Sequence, residues 1–205
     1  MIKYLIKFVG CEEHAQMLID GEMFMRPASY YHHLETGQGD PSEAGVLDGI
    51  GIYMNSNIPI FCMYCVFDND IIDGKILISK RVIEDFKCED GFLVLLEYEE
   101  FEKRLSTVKT NGYQLDAGRV GYAYKKFDGL ADMLNDKSGK SLFIKNPYFS
   151  YQKEFRIVIA KQVDIIDNHP SDSVTYSFET SLKDLAKIIK ISDLVFDGNN
   201  YILAL

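Results

Sequence analysis

The chain has 205 residues, 47% of them hydrophobic and 26% charged, with 22 Lys and Arg against 31 Asp and Glu and a formal net charge of −9. That length suits one ordinary domain or two very small ones, and the hydrophobic content excludes a disordered tail. The acid surplus argues against non-specific nucleic-acid binding, which needs an excess of Lys and Arg to neutralise phosphates.

Residues 2–9 alternate, with Ile2, Tyr4, Ile6 and Phe8 on one face and Lys3, Leu5, Lys7 and Val9 on the other, and predict a strand. Residues 12–20 predict a short helix with acids in its first turn and Gly21 past its end. Residues 22–25 then read as a strand halted by Arg26 and Pro27. Residues 35–51, with Gly37, Gly39, Gly45, Gly49 and Gly51, read as a surface loop. Strands are expected over 58–67 and 75–79, and Ser79 is placed to cap a helix running to Phe86. A strand over 91–98, a helix over 99–108, a strand over 118–125 and a polar excursion over 126–140 follow.

Residues 154–161 predict a buried strand and 174–178 another. Thr180, Ser181 and Asp184 resemble a capping box opening a helix with Leu185, Ala186 and Ile189 on its inner side. Asp197 and Gly198 between apolar runs predict a hairpin. Strands dominate and helices are few and short, so the chain reads as a single α+β domain over residues 1–205, built on a mostly antiparallel sheet.

The beginning of the sequence lacks a signal peptide's apolar core, and the longest nearly apolar run, 58–67, is about half of what a membrane-spanning helix needs. No membrane span is expected, and a cytoplasmic location is. Cys11, Cys62, Cys65 and Cys88 then read as reduced thiols without disulfides.

Cys62 and Cys65 have metal-motif spacing, but residues three apart in a strand point to opposite faces, so they read as core thiols, and no metal site is expected. Gly37, Gly39 and Ser42 fail the dinucleotide fingerprint because serine holds the last glycine position. Glu35, Asp40 and Glu43 match no calcium-loop spacing. Serine-hydrolase, P-loop and zincin motifs are absent from the sequence. His32 and His33 beside Tyr30 and Tyr31 follow a strand end, where polar groups often line a cleft.

The most suggestive segment runs from Lys145 to Arg156. If pairing begins near Tyr151, alternation sends Gln152, Glu154 and Arg156 to one face and Tyr151, Phe155 and Ile157 into the core. The plainer reading is a Glu154–Arg156 pair satisfying itself on the sheet surface.

The layout of Tyr4 to Phe8, Leu18 to Met25, Tyr30 and Tyr31, Gly39 to Glu43, and Lys145 with Phe149 to Arg156 resembles a poorly characterised bacterial family found in prophage and abortive-infection settings. The same order distantly resembles ADP-ribosyltransferases, in which a first-strand basic residue, an aromatic residue and a late glutamate surround NAD. Gln152-Lys153-Glu154 looks like the Gln-x-Glu of that group, and Lys7 stands near the position where it has His or Arg. The resemblance implies an NAD-binding cleft, with Glu154 and Gln152 catalytic and Lys7, Tyr30, Tyr31 and Arg156 binding the cofactor. It implies that Glu154→Gln removes activity with little change in melting temperature. The alternative is a non-catalytic acidic protein that occupies a basic partner surface, drawing on the eight acids within residues 84–102.

Overall fold

A computed structural model describes residues 1–33, 58–86, 88–123, 140–160 and 173–205. The first half contains β1 (Ile2–Val9), α1 (Glu12–Ile19), β2 (Glu22–Pro27), β3 (Pro59–Phe67), β4 (Ile71–Ile72), β5 (Lys75–Ser79), α2 (Lys80–Asp85), β6 (Phe92–Glu97) and α3 (Tyr98–Leu105). There follow β7 (Val108–Lys109), β8 (Gln114–Arg119), β9 (Gly121–Tyr122), β10 (Ile144–Lys145), β11 (Glu154–Ala160), β12 (Val174–Phe178), β13 (Ala186–Lys190), β14 (Val195–Phe196) and β15 (Asn200–Ala204). The pairing is mostly antiparallel and the three α-helices are short, so the architecture is α+β, as the alternation and the scarcity of helical periods require. No helix among the described residues is long and apolar enough to cross a membrane.

The chain divides into two compact units. The first comprises residues 1–23, 63–109 and 176–205. Its centre is β6, paired antiparallel with β1 through Ile6 and Leu95 and with β13 through Ile188 and Val94. Leu93, Val94, Leu95 and Leu96 are all buried, because α1 and α3 bring Ala15, Leu18, Phe101 and Leu105 to the core. Burying each such side chain contributes about 1.5–3 kcal/mol relative to leaving it in water. Phe8 stacks on Phe86 with ring centroids 5.6 Å apart, and Phe101 meets Phe178 at 5.8 Å. A four-stranded antiparallel sheet, ordered β14, β15, β5, β4, closes this unit, and its β14–β15 hairpin turns at Asp197 and Gly198. Gly198 takes a φ of 102°, which explains glycine at that point of the turn.

Gly91 opens β6 for a different reason. A Cβ there would lie 2.4 Å from the Val9 carbonyl oxygen and 3.1 Å from that of Cys88, both fixed backbone atoms. Gly91→Ala is therefore expected to cost about 1–3 kcal/mol, measured by denaturant unfolding. An unchanged midpoint would show that the backbone yields freely.

Residues 180–185 depart from the expected helix. Arg104 of α3 donates to Thr180 Oγ1 at 2.9 Å and to the Ser181 carbonyl at 2.7 Å, and pairs with Asp184 at 2.7 Å. The polar groups that looked like a cap are ligands of that guanidinium, and Ala186 to Lys190 pair with β6 instead of coiling. Local capping signals lost to long-range pairing, as propensity commonly does.

The second unit comprises residues 24–62 and 110–175. Arg26 and Pro27 continue β2, facing Ile60 and Pro59 of β3, so the expected stop at Arg26 does not occur. The strand β11 pairs with β3 and, antiparallel, with β8, setting Arg156 opposite Gly118 and Val158 opposite Asp116. The expected strand over 118–125 is two shorter ones, β8 and β9. Ala28, Ile58, Ile60, Leu142 and Val158 form a buried apolar cluster, with Tyr31 and Cys62 packed against it. The loop expected over 35–51 and the excursion over 126–139 lie outside the described residues.

Candidate functional site

The site is built where β10 leads into β11. Lys145 pairs with Tyr122 of β9, and the Tyr122 hydroxyl accepts from the Glu154 backbone N–H at 2.8 Å. Asn146 then caps a 3₁₀ helix over Pro147–Gln152, its side-chain oxygen accepting from the Tyr148 N–H at 2.9 Å with Pro147 at the first position. Lys153 ends that helix in the left-handed region, φ 40° and ψ 49°, where a side chain costs about 1–2 kcal/mol. After that reversal Glu154 begins the strand.

This differs from the expectation of pairing from Tyr151. Gln152 reaches the inside at the end of a 3₁₀ turn and Glu154 at the start of a strand, and a left-handed residue joins them. Strand alternation accounts only for Glu154, Arg156 and Val158 on one side and Phe155, Ile157 and Ile159 on the other.

The outcome is a buried charge cluster. Relative exposures are 4% for Lys145, 2% for Gln152, 6% for Glu154 and 1% for Arg156. Glu154 Oε1 accepts from Arg156 Nε at 2.8 Å and from Nη2 at 2.6 Å, while Oε2 accepts from Lys145 Nζ at 3.3 Å. The Cys62 side chain also favours the ionised carboxylate. Lys145 also donates to Gln152 Oε1 at 2.9 Å and lies 5.0 Å from the Phe149 ring centroid. Arg156 Nη1 donates to the Leu142 carbonyl. These side chains therefore line the interior of the unit, and the pairing of Glu154 with Arg156 is a buried one, where both the desolvation cost and the attraction are large.

Burial alone would push the Glu154 carboxyl up, yet Arg156, then Lys145, then the Cys62 and Arg156 hydrogen bonds outweigh it. The carboxyl is held well below the usual range and is ionised at neutral pH. Two hydrogen bonds from Arg156 and one from Lys145 take up most of the roughly four acceptor positions of a carboxylate.

Tyr31 is half-buried, and desolvation, then the charges of Cys62 and Glu154, push its hydroxyl well above the ordinary tyrosine value, so it remains a neutral donor. Tyr30 is 40% exposed and lies edge-on to Tyr31, with centroids 5.4 Å apart and planes at 88°. Thus the charges of Glu154 and Arg156 reach Tyr31, Gln152 joins that cluster through Lys145, and Tyr30 stands beside Tyr31. Lys7 belongs to the first unit, half-buried on β1 opposite Val94 of β6.

Lys145, Cys62 and the Leu142 carbonyl are the members that sequence reasoning did not assign. Cys62 reads as core thiol by spacing, and the Glu154 carboxylate that it influences is over 90 residues away. Lys145 sits inside the suggestive segment, but an isolated lysine before Asn-Pro carries no spacing signal. The four cysteines are free thiols, with Cys65 and Cys88 buried and Cys11 and Cys62 partly so. Compared with known proteins, the chain matches no protein family, no curated protein and no solved structure.

Proposed function

We propose that the second unit binds NAD and that the protein is an ADP-ribosyltransferase-like enzyme of phage–host conflict. The reading rests on one observation, the Glu154 carboxylate held ionised by Arg156 and Lys145, with Gln152 joined to it through Lys145. Breaking the bond between the ribose C1′ and the nicotinamide nitrogen releases nicotinamide with the electron pair and leaves oxocarbenium charge on the sugar, which water or an acceptor side chain then captures by bonding to C1′ and losing its proton. A fixed carboxylate stabilises that charge and accepts from the 2′-hydroxyl. Arg156 and Lys145 occupy most of its acceptor positions, so a ligand hydroxyl displaces one of their contacts. Of these the longest is Lys145 at 3.3 Å, and Lys145 keeps Gln152 as a partner at 2.9 Å. Tyr31 supplies a neutral hydroxyl within the same unit.

The test incubates the full chain with NAD and measures released nicotinamide. Glu154→Asp keeps the charge but withdraws the carboxylate by about 1.5 Å, one carbon–carbon bond. It is expected to slow release by about 100-fold, the usual cost of such a displacement. Release at the same rate from the aspartate variant would remove Glu154 from the mechanism.

A second reading, a non-catalytic acidic protein occupying a basic partner, is favoured by the burial of Glu154 between Arg156 and Lys145, which suits a purely architectural ion cluster. The first unit also exposes Glu84, Glu89, Asp90, Glu97, Glu99, Glu100 and Glu102. It requires that NAD neither shift the melting temperature nor release nicotinamide, and that the complex weaken steeply with salt.

A further inference from the structure

Arg26 on β2 is held differently from the buried cations. Its guanidinium carbon lies 4.1 Å from the Tyr30 ring centroid and 5.3 Å from that of Phe24. Phe24 and Arg26 are two apart on a strand and share a face, and Tyr30 comes from the turn that follows. Both rings remain open to solvent, Phe24 at 43% and Tyr30 at 40%, while Arg26 is half-buried.

Two aromatic rings lie against the guanidinium, whose rim carries five N–H donors in one plane. Among the described residues no carboxylate and no hydrogen-bond acceptor meets that rim. A guanidinium already held against two rings has little further freedom to lose, and its planar fork matches two oxygens of a phosphate. The exposed surfaces of Phe24 and Tyr30 suit a planar base beside it, because every base has a face to stack.

We infer that Phe24, Arg26 and Tyr30 form a mononucleotide site, in which the rim of Arg26 takes a phosphate and one of the two exposed rings takes the base. A mononucleotide fits better than a nucleic acid, whose many phosphates the net charge of −9 opposes. The site does not depend on cleavage of NAD.

The experiment titrates ADP, adenosine, inorganic pyrophosphate and a ten-residue oligothymidylate into the full chain by calorimetry, with Arg26→Lys and Tyr30→Leu as variants. ADP is expected to bind, with pyrophosphate competing and adenosine at least about tenfold weaker. Arg26→Lys, which keeps the charge but loses the fork, is expected to weaken ADP by about tenfold or more, and Tyr30→Leu to weaken it as well. Circular dichroism of each variant confirms that it is folded. No ADP binding at millimolar concentration, equal affinity for adenosine and ADP, undiminished binding by Arg26→Lys, or binding of the oligothymidylate alone would each overturn the site. ADP binding lost in Arg26→Lys, together with no nicotinamide release from NAD, would keep the site and remove the enzymatic reading.

Discussion

Glu154→Gln is expected to lower the stability of the protein by about 3–5 kcal/mol, measured by denaturant unfolding at neutral pH. The substitution is nearly isosteric, so the loss is electrostatic. It removes the anion that Arg156 and Lys145 contact in a setting where the side chains are 1% and 4% exposed. It also turns one acceptor oxygen into an NH₂ group facing donors. The resemblance to ADP-ribosyltransferases implied that this variant would melt like the parent. Burial of the cluster reverses that, so lost activity in Glu154→Gln does not by itself assign a chemical role, and Glu154→Asp is the sounder probe. A loss below about 1 kcal/mol would mean that water reaches the carboxylate and the cluster is open.

Arg156→Met carries the second large effect, a loss of about 3 kcal/mol or more. Methionine fills much of the same length, which limits the cavity. What disappears are two contacts to Glu154 and one to the Leu142 carbonyl, leaving buried acceptors short of donors. The pH dependence changes too. In the parent, the folded-state value of Glu154 lies below its unfolded value, so its contribution is present above the unfolded value of about 4.3 and is lost as pH falls through the folded value. Without Arg156, burial is opposed mainly by Lys145, the carboxyl rises, and stability is lost at higher pH on acidification. The double variant Glu154→Gln with Arg156→Met should cost clearly less than the sum of the two, because each single change strands the other partner. Strict additivity would show that the two side chains do not act together.

Much of the scaffold was legible. The alternation of β1, the apolar runs of β3, β6 and β11, and Asp197-Gly198 at the last hairpin are local patterns, and they folded as such. What escaped was set by partners distant in sequence. Arg104 claimed Thr180 and Asp184, which by themselves look like a helix start. Asn146 and Pro147 start a 3₁₀ turn that Lys153 ends in a left-handed conformation, and nothing in a lysine announces a positive φ.

The candidate site shows the same division. Gln152, Glu154 and Arg156 were singled out from the sequence, but as lining an open face, since charged residues default to the surface. Their burial depends on Lys145 and Cys62 arriving from elsewhere. The strand's period brings Arg156 to the face of Glu154, but the second cation, Lys145, and the burial of the pair are tertiary events that the period does not contain.

The pH titration of the Glu154 side-chain carboxyl, followed by ¹³C NMR in glutamate-labelled protein and assigned by its loss in Glu154→Asp, tests the buried, clamped anion most directly. The predicted midpoint lies well below the ordinary glutamate value of about 4.3. A midpoint at or above that value would mean that Arg156 and Lys145 do not hold the carboxylate, and the site built around it would fall.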